Sequence, residues 1–468
     1  MGGAPALRRL TILHTNDIHG REEGIARIAT LVERIRAESP HPVVYLDAGD
    51  VEEPSRRLSN LTKGAAMHRL LTAAGCAAHT AGNATWMKYG PQEFPAHQAA
   101  AGYPILLANF RTPAGAGVPG VQDSVLLVAD GITLGVIGVC EPMMFDEFDF
   151  GLRAADEVSV VSEQAARLRL RGADVVLLLS HLGLVNDRQV AAGLVGVVDL
   201  IVGGHSHDLL PEGERVGGVS LAHAGSYAEH LGRIELSVGD GVHVESIAVL
   251  PVPADTPLHP SVVAEMAAIE LEVGALLDEV IGELVEPLEL ASDRECRIAN
   301  WLADILRERM DAEVSLVCPG AAFVDSLAAG PLTRAALWDA CSSPGNPGVT
   351  TLTGEQLLTV VRLGQDAEFA ASTTRTLRGA ARGFLHLSGA EVWSGALLVG
   401  GEPVEPERRY RVAGGDWELS HYGGYVEQEW RLEVSYHFPT ILRDAIEEHL
   451  RAHPRVEPPE SRLQRALR

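Results

Sequence analysis

The chain has 468 residues and is 46% hydrophobic, ample for real cores; length alone suggests about three domains, while the spread of motifs argues for two. Its 38 basic and 63 acidic side chains leave a formal charge of −25. So acidic a surface repels nucleic-acid polymers and anionic membranes, which leaves small solutes captured at a local site.

The stretch from Met1 to Arg9 enters the first strand without an apolar secretory segment, and no run of about 18 apolar residues follows anywhere. The five cysteines, Cys76, Cys140, Cys296, Cys318 and Cys341, are scattered and form no Cys-x-x-Cys pair. That usage fits free thiols in a reducing cytoplasm.

In chain order, Leu10 and Ile12 alternate like a strand, and the run ends in Leu13-His14-Thr15-Asn16-Asp17-Ile18-His19-Gly20. Asp17 and His19 therefore leave the sheet together. Ile25, Ile28, Leu31, Val32 and Ile35 recur at helical spacing and return the chain to Val43-Val44-Tyr45-Leu46, which runs into Asp47-Ala48-Gly49-Asp50. Met67 to Ala74 reads as a helix, and the small-residue stretch Ala77 to Ala81 runs into Gly82-Asn83. Pro91 to Ala101 reads as a helix, Ile105 to Ala108 and Thr133 to Val139 as strands, and Arg153 to Arg171 as a further helix. Val175 to Leu179 ends in Ser180-His181, and Leu200 to Gly204 ends in His205-Ser206-His207-Asp208.

Seven nitrogen or oxygen ligands thus stand at strand ends: Asp17, His19, Asp50, Asn83, His181, His205 and His207. Four per ion with one shared gives two ions. A bridging carboxylate is needed to hold two divalent cations about 3.5–4 Å apart, and Asp50 is the candidate. Imidazole with carboxylate suits Mn, Zn, Fe, Co or Ni better than Mg or Ca, and Mn is favoured here. Such ions lower the pKa of water from about 15.7 towards roughly 7, and phosphorus is the natural electrophile for the hydroxide.

This ordered set closely resembles the calcineurin-like metallophosphoesterases, and the wording His14 to Gly20 with the long C-terminal extension resembles their 5′-nucleotidase branch, which includes UDP-sugar hydrolases. The resemblance implies an α/β (α+β) fold: a four-layer αββα sandwich, two sheets face to face with helices outside, then a smaller α/β C-terminal domain. It also implies one ion on Asp17, His19, Asp50 and His207, and the other on Asp50, Asn83, His181 and His205. His205 and Asn83 are thereby expected to stabilise the phosphate.

The third block departs from the family. Gly-Asn-His-Glu is usual there, its histidine helping the leaving oxygen depart, whereas this chain reads Gly82-Asn83-Ala84-Thr85-Trp86-Met87-Lys88. Losing such an acid ordinarily costs something like 10²–10⁴ in rate. Lys88 or Thr85 is the candidate replacement, against the reading of Lys88 as a solvated loop residue; a cytoplasmic subgroup of the family shares the missing histidine. Asn109 is expected to cap a loop. His14 is either a partner of a metal ligand or a satisfied core histidine, and His223 is surplus to the seven.

Pro251, Pro253, Pro257 and Pro260 punctuate a joint, and Val262, Met266, Ile269, Val273 and Leu276 mark the stripe of a bridging helix. The expected limits are 8–252 for the catalytic domain, 253–286 for linker and bridging helix, and 287–468 for substrate recognition. A helix face of Ile298, Trp301, Leu302 and Ile305 opens the last, similar to the first helix of the nucleotidase C-terminal domain. The family's Gly-Gly-Gly-Ile-Arg has become Gly320-Ala321-Ala322-Phe323, and its Pro-Phe-Gly-Asn has become Ser343-Pro344-Gly345-Asn346. Phe323, Trp417 and Tyr422 are the remaining candidates for substrate contact, a base–aromatic stack being worth roughly 1–3 kcal/mol. The expected activity is hydrolysis of small phosphomonoesters, nucleoside 5′-monophosphates first. The alternatives are a phosphodiesterase or nucleotide-sugar pyrophosphatase, and a weakly active nucleotide-binding relative.

Overall fold

The structure is a computed structural model and describes residues 7–143, 146–341, 343–373 and 381–463. Residues 1–6, read above for a secretory segment, lie outside the described residues. No described helix is long and apolar enough to cross a membrane. The chain divides into two compact units at Val273/Gly274, within the helix Pro260–Leu277.

The first unit holds two six-stranded sheets. One runs Val242–Pro251, His230–Val238, Arg8–Thr15, Val43–Asp47, Ala78–Thr80 and Ile105–Leu106; the other runs Glu214–Val216, Val219–His223, Leu200–Gly203, Val175–His181, Ile132–Cys140 and Ser124–Ala129. Leu10, Ile12, Val44 and Leu46 of the first share one apolar cluster with Leu134, Val136, Leu177, Leu179 and Val202 of the second, so the sheets stack face to face. The intervening residues of the second sheet, Ile137, Val176, Leu178 and Ile201, pack instead with Val161, Ala165 and Leu168 of the helix Glu157–Leu170. Period-two alternation therefore feeds two cores, and strands buried on both faces read as continuous apolar runs.

Two helix expectations needed correcting. Arg153 and Ala154 pair antiparallel with Phe110 and Arg111, and the helix expected from Arg153 starts at Glu157 because Asp156 caps it, accepting from the Ser159 N–H. The expected helix at Pro91 opens as a 3₁₀ turn, Pro91–Glu93, before the α-helix Phe94–Ala100.

The second unit is built on a five-stranded sheet ordered His386–Ser388, Val314–Val317, Arg409–Gly415, Pro347–Thr353 and Ser435–Tyr436. The helix Arg297–Arg309 buries Ile298, Trp301, Leu302 and Ile305 in one core, and Gly354–Gly364 buries Leu357, Val360 and Val361 in another.

Candidate metal centre

The seven candidate ligands stand at or just beyond the carboxyl ends of parallel strands, His181 as the last residue of its strand and Asn83 as the first of a helix. Asp17, His19, Asp50, His205 and His207 all take positive φ, between 47° and 77°. Each costs on the order of 1–3 kcal/mol and persists only where surrounding contacts hold it. Here the first two loops bond to each other: Asp17 N–H to Gly49 O at 2.9 Å, His19 N–H to Asp50 O at 3.0 Å, and Gly20 N–H to Val51 O at 2.8 Å.

The same crowding explains two glycines. A Cβ on Gly49 would lie 2.4 Å from His181 Nδ1, and one on Gly82 would lie 2.0 Å from Asp50 Oδ1.

Asp17, His19 and His207 offer ligand atoms all within 4.8 Å of one another, and so do Asp17, Asp50 and His181. His19 Nε2 lies 3.1 Å from His207 Nε2, Asp17 Oδ1 lies 3.5 Å from His207 Nε2, and Asp50 Oδ2 stands 3.9 Å from His19 Nε2 and 3.3 Å from His181 Nε2. Two atoms sharing a cation at about 2.1 Å with a tetrahedral angle are about 3.4 Å apart, so these spacings are those of co-ligands. His181 Nδ1 faces Ala48 O at 2.7 Å, which fixes the tautomer, and its buried Nε2 has no hydrogen-bond partner among the described residues. The donor set fits divalent metal ions. Asn83 Oδ1 meets His205 Nδ1 at 2.8 Å, and the His205 ring stands edge-on to His181 at 5.2 Å.

Electrostatics agree with close packing of opposite charge. Burial opposes the charged form of His181, but the Asp50 and Asp17 carboxylates hold its pKa up to about 10. Burial likewise works against the Asp50 and Asp17 carboxylates, yet His181, and for Asp17 chiefly His207, hold both below the usual range. Burial and neighbouring His181 push His205 down, whereas the hydrogen bond to Asp17 raises His207.

Several supporting residues were not singled out from sequence. Asn16 donates to Asp17 Oδ2 at 2.7 Å and to Gly225 O at 2.6 Å. Tyr227 donates its N–H to Asp17 O at 2.7 Å, and its ring stands 5.7 Å from His19 and 5.3 Å from His207 with Arg21 above it. The adjacency of Asn16 to Asp17 was the available signal; for Tyr227 there was none. His223 pairs with Asp187 at 2.8 Å, and Asn109 caps the backbone of Cys140. His14 is buried, with neither ring nitrogen partnered among the described residues.

Asn83 opens the helix Asn83–Tyr89, and the Ala84 N–H donates to Asp50 Oδ1 at 2.9 Å. Thr85 is buried with its hydroxyl unpartnered among the described residues, and Lys88 is half-buried in the last turn. In the second unit the three candidate aromatics fall in different settings. Phe323 is 1% exposed in one apolar cluster and lines a cavity of about 440 Å³ with Ser292, Asp293 and Arg294. Trp417 is half-buried against the other cluster, beside the buried Arg382, and Tyr422 is 77% exposed.

Stacked sheets that gather carboxylates and imidazoles at their strand ends define a metallophosphoesterase, a hydrolase. Residues 10–209 match the calcineurin-like phosphoesterase family, and residues 280–428 match the 5′-nucleotidase C-terminal domain. The chain belongs to the calcineurin-like phosphoesterases that carry a 5′-nucleotidase C-terminal domain. It is 26% identical to an uncharacterized metallophosphoesterase, YunD, of Bacillus subtilis, over 94% of this chain and 98% of that one. It is 27% identical to a 5′-nucleotidase of Diplobatis ommata over 65% of this chain, and spans 60% of that protein's length. In fold it is similar to the NAD nucleotidase of Haemophilus influenzae, with a TM-score of 0.67 and 15% identity over 98% of this chain and 99% of that one. Calcineurin-like phosphoesterases use two divalent metal ions and act on small phosphate esters.

Proposed function

We propose that the protein is a two-metal phosphomonoesterase of the cytoplasm, acting on small esters and on nucleoside 5′-monophosphates first, with manganese as its favoured ion. Asp17, His19, Asp50 and His207 would hold one ion and Asp50, Asn83, His181 and His205 the other. The observation that carries this reading is Asp50 Oδ2, set between His19 Nε2 at 3.9 Å and His181 Nε2 at 3.3 Å. The five buried free cysteines support a reducing compartment. Residues 8–252 form the catalytic domain, 253–286 the linker and bridging helix, and 287–468 the recognition domain, where Phe323, Trp417 and Tyr422 are the candidates to meet the leaving group.

When bound, the ion pair supplies an ionised water and positive charge for the phosphate. Asn83 and His205 steady the charge that develops on phosphate oxygens, and the His205 N–H, donated to Asp17 Oδ2 at 2.9 Å, keeps that loop in place. Ala84 offers no proton, so Lys88 is the group that neutralises the leaving oxygen.

A screen of the Mn²⁺-loaded enzyme against nucleotides, sugar phosphates and phosphodiesters tests the substrate class. Turnover of monoesters is expected; a preference for diesters moves the reading to a phosphodiesterase or nucleotide-sugar pyrophosphatase, and nucleotide binding without turnover to a non-catalytic relative. Lys88→Ala is expected to lower kcat on AMP by about 10²-fold while sparing p-nitrophenyl phosphate, whose leaving group needs no proton. An unchanged rate on both with full metal content removes Lys88 from the mechanism.

A further inference from the structure

We propose that Glu52, His68 and His97 form a separate structural site for one zinc ion, enclosed within the first unit. All three side chains are 0% exposed, and their ligand atoms lie within 4.8 Å of one another. His68 Nε2 is 2.9 Å from Glu52 Oε1, His97 Nδ1 is 4.0 Å from the same oxygen, and the two rings are 4.9 Å apart.

The outer nitrogen of each histidine has a partner, and a bound ion would replace the hydrogen bond between His68 Nε2 and Glu52 Oε1. His68 Nδ1 meets the Tyr103 hydroxyl at 2.9 Å, and His97 Nε2 meets Lys63 O at 2.6 Å. A carbonyl oxygen only accepts, so Nε2 of His97 carries the hydrogen and Nδ1 is the ring nitrogen turned towards Glu52. That nitrogen and Glu52 Oε2 are both buried without a hydrogen-bond partner among the described residues. Leaving two buried polar atoms unpaired in a dry interior is costly. A cation held by the three residues would give both atoms a partner.

His79 repeats the pattern at the edge of the group. Its Nδ1 meets Asp47 Oδ1 at 2.8 Å, its Nε2 is unpartnered among the described residues, and its ring stands edge-on to His68 at 5.2 Å. Two imidazoles and a carboxylate are a zinc donor set, and a fully enclosed ion is taken up as the chain folds. The proposal stands apart from the strand-end centre and does not rest on the function proposed for it.

Crystals of the full chain prepared with zinc chloride, measured on both sides of the zinc absorption edge, test it. The expected result is an anomalous peak about 2.0–2.2 Å from His68 Nε2, His97 Nδ1 and a Glu52 oxygen. No peak there, or a water-sized peak without anomalous signal, overturns the proposal. In solution, folded His97→Gln protein is expected to hold one zinc ion per chain fewer than the parent, and equal contents overturn the proposal. The diffraction measurement needs no variant, so a His97→Gln chain that failed to fold would leave the test intact.

Discussion

Gly82 is the position at which one methyl group would be felt most directly. Its added Cβ would sit 2.0 Å from Asp50 Oδ1 and 2.4 Å from Asp50 N, so Gly82→Ala must displace the candidate bridging carboxylate. Elemental analysis should find at least one ion fewer per chain, and overpacking should cost about 1–3 kcal/mol in a denaturation experiment. His386 gives a second test at this scale. Its Nε2 accepts from the Cys296 N–H at 2.8 Å while Nδ1 faces Phe384 O at 2.7 Å, and burial lowers its pKa to about 4. The folded state therefore binds fewer protons than the unfolded state between about pH 4 and 6.5, so stability rises with pH through that window. The contribution is complete above pH 6.5 and is lost as pH falls towards 4. It amounts to on the order of 3 kcal/mol, read as a slope in melting temperature that His386→Asn should flatten.

The helix Asn83–Tyr89 shows how an element sets a site from a distance. Trp86 is fully buried, its Nε1–H donates to Asp146 Oδ1 at 2.9 Å, and its ring meets Phe110 edge-on at 5.2 Å. Trp86→Phe leaves the buried Asp146 short of a donor, with an expected loss of about 1–3 kcal/mol and weaker metal retention through Asn83, measurable by melting and by competition with a chelator. Elsewhere, helix periodicity was plain in sequence where a stripe faced a core, as in Ile25 to Ile35 of the helix Glu22–Glu38. It failed at Arg153, because pairing of Arg153 and Ala154 with the distant Phe110 and Arg111 overrides local preference, and only Asp156 marks the true start.

At the scale of the whole molecule, each unit carries its own apolar clusters, and all seven candidate ligands lie in the first. Mn²⁺ at 100 times its Kd should therefore stabilise the first unit by about 2.7 kcal/mol. Hydrogen exchange should show that gain in the strands around Asp17 and His181 and none around His386; an equal gain in both units would contradict independent cores.

The sequence by itself determined which side chains end which strands, because period-two alternation and a turn at its end are local properties that neighbouring residues encode. It therefore displayed Asp17, His19, Asp50, Asn83, His181, His205 and His207, and the departure at Ala84. Only the tertiary structure decided that Asn16 and Tyr227 brace Asp17, that Phe323 packs into a core cluster at the edge of a cavity, and that Glu52, His68 and His97 meet in a dry interior. Those outcomes depend on which remote segments become neighbours when the elements of each unit pack, and no spacing along the chain encodes that.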